Sequence, residues 1–160
     1  MKRTVHVEFP GRLLIVGFGS IGMGVLPLIL RHIGIPKDRI TIITADERGH
    51  AVAKQEKIAF HISPLRRGNY KKILKTYLQR GDFLLNLSVE VSSVDLITYC
   101  QERGILYLDT VVEPWAGFYI SRAPVSAPMD IPIIWRRIPQ HGAHLHEFAG
   151  RGGESERQQV

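Results

Sequence analysis

The chain is 160 residues long, 44% apolar and 22% charged, a composition that excludes disorder throughout and any fibrous or collagen-like repeat. One globular domain fits this length, with little room for a second full domain beside it. The net charge of +6 raises nucleic acid as a partner, since basic faces attract phosphates.

That charge is not focused into a binding pattern. Its densest run, Arg66, Arg67, Lys71, Lys72, Lys75 and Arg80, coincides with a helical pattern whose apolar Ile73, Leu74, Tyr77 and Leu78 share one side. No helix-turn-helix, zinc-finger or RNP-like pattern accompanies it, so a solvated helix face is expected and no nucleic-acid partner. The single Cys100 excludes a disulfide scaffold or a Cys-rich metal site and suits a reducing cytoplasm. The start Met1-Lys2-Arg3 is basic, but His6, Glu8 and Pro10 interrupt the next stretch, so no signal peptide is expected. Nowhere do about 18 apolar residues run together, and no membrane span or membrane partner is expected.

Val5, Val7 and Phe9 alternate with polar residues and predict a short leading strand, ended by Pro10-Gly11. Leu13 to Val16 reads as a buried strand, Gly17 to Gly22 as a turn, and Val25, Leu28, Ile29 and His32 as a helix stopped by Gly34 and Pro36. The β-branched run Ile40 to Thr44 predicts the next strand, and Asp46 to Lys57 has the composition of a helix. Ile58 to Ile62 predicts a third strand, Asn69 a cap for the basic helix, and Phe83 to Leu87 a fourth strand. Ser92 and Asp95 have capping-box spacing at the start of a helix that ends at Gly104, before a fifth strand from Ile105 to Leu108. Near-continuous apolar strands alternating with helices imply an α/β fold, a doubly wound parallel sheet covered on both faces.

After Tyr119 the character changes. The last 41 residues hold four of the nine prolines and three of the seven histidines, without sustained periodicity. The expected organisation is therefore a nucleotide-binding domain over 1–119 and an irregular tail over 120–160. Within the tail, His141, His144, His146 and Glu147 lack the supporting partners that fix metal ligands, so no metal site is expected.

Gly17-Phe18-Gly19-Ser20-Ile21-Gly22 is G-x-G-x-x-G between a strand and a helix, the Rossmann-like context that gives this pattern its value. The first glycine permits a tight turn, the second admits a pyrophosphate, and the third lets helix and strand approach while helix-start amides face the phosphates. A P-loop requires Lys where Met23 stands, and a nucleophile elbow requires Gly where Phe18 stands. A dinucleotide is the implied ligand.

Asp46 lies 24 positions beyond Gly22, near the about 20 typical of a ribose-binding acid, and favours NAD over NADP. Arg48 works against that choice, because a nearby arginine can hold a 2′-phosphate, and Asp46 as a helix N-cap remains open. Asn86, Leu87 and Ser88 end the fourth strand, and Asp109 and Thr110 come after the fifth, where open α/β sheets place their ligands. Turn capping is the alternative for Asn86 and Ser88, and loop-amide satisfaction for Asp109. Glu113 beside Trp115 suits an organic cation, by charge pairing and cation–π attraction.

Three stretches, Gly17 to Ile29, Asn86 to Ser93 and Tyr107 to Trp115, together resemble bacterial homospermidine synthase, a family near the saccharopine dehydrogenase-like proteins. The resemblance covers about residues 11–119. It implies an NAD-dependent aminobutyl transferase that joins two putrescines into homospermidine with loss of ammonia and also accepts spermidine as donor. It also implies that Gly17, Gly19, Ser20, Ile21 and Gly22 hold the pyrophosphate, that Asn86, Leu87, Ser88, Asp109 and Thr110 lie along ribose and nicotinamide, and that Glu113 and Trp115 face the substrate.

The family continues into a substrate domain that Ile120 to Val160 does not resemble. The expectation is a truncated or frameshifted remnant, inactive alone, completed by the missing domain or associating as a homodimer through apolar surface on the fifth strand and the segment Val111 to Tyr119. Two other readings stay open: a fragment of another saccharopine dehydrogenase-like oxidoreductase, and a non-catalytic NAD-binding module.

Overall fold

The computed structural model describes residues 4–117. The expected boundary at 119/120, the irregular tail and its His141, His144, His146 and Glu147 lie outside the described residues.

Five strands build one parallel sheet: β2 (Leu13–Val16), β4 (Ile40–Thr44), β5 (Ala59–Ile62), β6 (Phe83–Asn86) and β7 (Leu106–Asp109), in the order β5-β4-β2-β6-β7. Connections run through α1 (Ser20–His32), α2 (His50–Glu56), α3 (Tyr70–Tyr77) and α4 (Ser93–Arg103). The chain moves outward from β2 to β4 and β5, then returns to pair β6 on the other side of β2. That reversal creates a switch point at the carboxyl ends of β2 and β6, where open α/β sheets bind ligands. The expected doubly wound α/β architecture is the one observed.

Alternation along the strands divides the core into two layers. Leu14, Val16 and Leu84 pack with Leu74, Leu96, Tyr99 and Cys100 from α3 and α4. Leu13, Ile15 and Leu85 pack with Leu26 and Ile29 from α1 and Ala53 from α2. The central strands therefore read as unbroken apolar runs, because both of their faces are covered. At the opposite end of the sheet, buried Asp82 accepts bonds from the Arg12 amide at 2.8 Å, the Arg12 guanidinium at 2.8–3.0 Å and the Gln79 amide at 2.8 Å. These donors offset the cost of burying a carboxylate.

Several local expectations are corrected. The leading strand shrinks to β1 (Val7–Glu8), which pairs in parallel with β3 (Ile33–Gly34) as a separate ribbon. The second helix starts only at His50, since Asp46 and Arg48 form a turn and Gly49 adopts φ +80° ahead of the helix. Asn69 sits at the start of α3, but its side chain accepts from the Arg66 amide and donates to the Pro64 carbonyl, so it braces the preceding loop. Ser92 does cap α4, its hydroxyl accepting from the Asp95 amide at 3.3 Å. The fifth strand begins one residue later than expected, at Leu106, and Leu106 and Leu108 are 52% and 54% exposed. Those side chains face an apolar groove of about 360 Å³ shared with Phe83 and Leu85, so the apolar surface expected on the last strand is present.

Among the described residues, no helix is long and apolar enough to cross a membrane.

Candidate functional site

The turn after β2 is held from both sides. The Gly17 amide donates to the Ile43 carbonyl at 2.8 Å, and the Leu87 amide to the Val16 carbonyl at 2.7 Å. Gly17 has φ +83°, a left-handed conformation that favours glycine. A Cβ there would stand 2.7 Å from the backbone of Ser88, so the glycine lets the β6 loop close against the turn. At Gly22 the obstacle is different: a Cβ would meet the ring of Phe18 at 2.7 Å. Phe18 is 1% exposed and lies edge-on to Phe60, centroids 6.3 Å apart. The third glycine thus makes room for an aromatic that anchors the turn, a function its spacing alone did not disclose.

Gly19 behaves oppositely. A Cβ there would find nothing within 4 Å, and as N-cap of α1 it leaves the helix start without a side-chain cap. Amides at such an end attract negative charge. The turn opens into a cleft of about 760 Å³ bounded by Gly17, Gly19, Asp46, Leu87, Ser88 and Trp115, all expected from the sequence. Ser20 and Ile21 are exposed on the first turn of α1, and Gly22 is buried behind them.

The remaining expected residues do not line the cleft. Asn86 is 1% exposed and spends its amide internally: its oxygen accepts from the Ser88 amide at 3.2 Å and hydroxyl at 2.5 Å, and its nitrogen donates to the Tyr107 hydroxyl at 3.4 Å. Tyr107 in turn donates to Asp109 at 2.9 Å. Asn86 and Asp109, opposite one another in register, are therefore joined through a tyrosine that sequence reasoning missed. Burial pushes the Tyr107 hydroxyl well above its usual pKa, keeping it a neutral donor. Thr110 is exposed and borders the apolar groove instead.

The loop carrying Glu113 is clamped by Ser93. The Ser93 hydroxyl donates to the Val111 carbonyl at 3.2 Å and accepts from the Glu113 amide at 3.1 Å, while the Ser93 amide donates to the Glu113 carbonyl at 2.8 Å. Trp115 reaches the cleft wall with its indole N–H donated to Asp95 and its ring 5.3 Å from that of Tyr70. Asp95 thus uses its amide for the cap and its carboxylate for Trp115, a pairing no local pattern signals.

Asp46 is at the cleft edge, and Arg48 grips it. The Asp46 carboxylate accepts from the Arg48 amide at 2.9 Å, Nε at 2.9 Å and Nη2 at 2.7 Å. This fork holds the exposed Asp46 carboxyl below its usual pKa, the side-chain hydrogen bond contributing most. Asp46 caps no helix. Arg66 and Arg67 border the same cleft, a role hidden in the sequence by their place at the edge of a basic helix.

Together, the switch point, the glycine turn and the uncapped helix start define a dinucleotide-binding α/β domain. The profile of the saccharopine dehydrogenase NADP binding domain family matches residues 13–129, and the chain belongs to that family. It is 44% identical over 118 residues to a homospermidine synthase of Mesorhizobium japonicum, covering 72% of this chain and 24% of that protein. Identity to a homospermidine synthase of Blastochloris viridis is 39% over 118 residues, covering 72% and 25%. The crystal structure of a Legionella pneumophila homospermidine synthase in complex with NAD superposes with a TM-score of 0.67 at 32% identity, over 71% of this chain and 24% of that one. The chain thus spans about a quarter of the length of these relatives.

Proposed function

We infer that this chain is the NAD-binding portion of a homospermidine synthase. The observation that carries this reading is the open space at Gly19, beside an uncapped helix start, in a chain whose similar solved structure is an NAD complex. Gly17 and Gly19 would let the pyrophosphate approach the backbone, the first-turn amides of Ser20, Ile21 and Gly22 would face it, and Asp46 would meet the adenosine ribose. Leu87 and Ser88 would lie along the nicotinamide end, with Asn86 and Asp109 supporting them from the ends of β6 and β7 and Thr110 directly after β7. When bound, NAD would take a hydride from the amine-bearing carbon of putrescine and give it back after the amine of a second putrescine has displaced ammonia from the resulting iminium, leaving no net redox change.

Glu113 and Trp115 would supply one wall for a diamine, a carboxylate and an aromatic face suited to ammonium groups. A dication must be desolvated and shielded from water on every side, so homospermidine formation requires sequence corresponding to the rest of the relatives. The buried, unpaired Cys100 fits a reducing cytoplasm as its setting.

The test is calorimetry with NAD, then chromatographic detection of homospermidine from putrescine and NAD. The expected result is NAD binding without product from this chain, and product once it replaces the matching part of a full-length relative. In that hybrid, Glu113→Gln should lower turnover more than NAD affinity. Failure to bind NAD overturns the reading, and product from the 160-residue chain alone overturns its dependence on a further domain.

A further inference from the structure

Resting on the dinucleotide reading above, we propose that Arg48 decides between the two nicotinamide dinucleotides, and that its grip on Asp46 opens the adenosine end of the cleft to NADP. A lone carboxylate at this position accepts ribose hydroxyls and repels a 2′-phosphate. Asp46 is not alone. A carboxylate offers about four acceptor positions, and Arg48 takes three of them: one on Oδ1 through its amide, two on Oδ2 through Nε and Nη2. Oδ2 is saturated, and a single position on Oδ1 remains for a ribose hydroxyl.

The charges along the cleft lining still favour an anion: Asp46 and Glu90 contribute two negative charges, whereas Arg48, Arg66 and Arg67 contribute three positive charges. The Arg48 side chain is 79% exposed and the Asp46 side chain 43%, so the guanidinium N–H groups that Asp46 does not use can meet an incoming phosphate while the fork on the carboxylate holds. A 2′-phosphate would meet a guanidinium already positioned beside Asp46, in a cleft whose lining carries two further arginines.

Two variants shift the choice in opposite directions, which a general loss of structure cannot do. Dissociation constants for NAD and NADP are measured by calorimetry on the full 160-residue chain, with thermal melts as a folding control. Wild type is expected to bind both, and Arg48→Ala to move the preference toward NAD by roughly tenfold, since a charge-assisted contact to phosphate is lost and Asp46 regains its acceptors. Asp46→Asn should move it toward NADP by a similar factor. Binding of NAD with no detectable NADP, or a preference unchanged in both variants, overturns this assignment and leaves the NAD reading intact. Absence of binding by either dinucleotide overturns both.

Discussion

Gly17 and Ser88 touch backbone to backbone: a Cβ on Gly17 would stand 2.7 Å from both the amide nitrogen and the Cα of Ser88. The contact joins the end of β2 to the end of β6, the two strands between which the chain reverses direction. Ser88 is itself fixed by Asn86, so a buried amide, a turn and a glycine form one support under the cleft.

Gly17→Ala should destabilise the fold by about 2–4 kcal/mol, combining a positive φ with a collision against backbone that has no flexible end to yield. Chemical denaturation measures this. Stability equal to wild type would show that the β6 loop can retreat from the turn.

Gly19→Val should cost no more than about 1 kcal/mol of stability, because a Cβ there meets nothing within 4 Å and the loss is confined to valine being a poorer N-cap than glycine. NAD affinity should fall by roughly tenfold or more, since that space is where a pyrophosphate would approach. Equal affinity for wild type and variant by calorimetry would remove Gly19 from the binding site.

Tyr107→Phe removes the hydroxyl that bridges Asn86 and Asp109. The loss should cost about 1–3 kcal/mol, with Asn86 left short of a buried partner. Denaturant midpoints test it, and an unchanged midpoint would mean that water replaces the bridge at no cost.

Cys100 is fully buried, and burial raises its thiol pKa to about 12 from 9.0. The folded chain therefore keeps the proton that the unfolded chain releases, so this contribution to stability is complete below pH 9 and is lost as pH rises toward 12. Cys100→Ala should flatten the decline between pH 9 and 10. The tyrosines whose pKa burial raises, Tyr99 and Tyr107, take over above pH 10. Thiol reagents at pH 8 should label Cys100 only after denaturation, and rapid labelling of native protein would contradict its burial.

Trp115→Phe keeps the ring against Tyr70 but deletes the bond to Asp95. The chain should lose about 1–2 kcal/mol. Asp95→Asn should be partly tolerated, because its amide oxygen still accepts from the indole; equal losses for both variants would point to packing alone.

Much of this molecule was legible in order along the chain. Leu13 to Val16 and Ile40 to Thr44 had to be covered strands, because runs of large apolar side chains leave no face for water, and G-x-G-x-x-G between strand and helix announced the ligand end of the sheet. These signals are local, carried by residues next to one another. Tertiary structure decided which glycine serves which purpose: Gly17 yields to Ser88, Gly22 to the Phe18 ring, and Gly19 to open space. It also decided that Asp46 and Arg48 form a turn rather than a helix start, and that Tyr107, not a loop residue, joins Asn86 to Asp109. The Tyr107 bridge and the approach of Ser88 to Gly17 depend on strand order and register, which bring together residues about 20 to 70 positions apart, and no pattern in neighbouring residues encodes such a meeting.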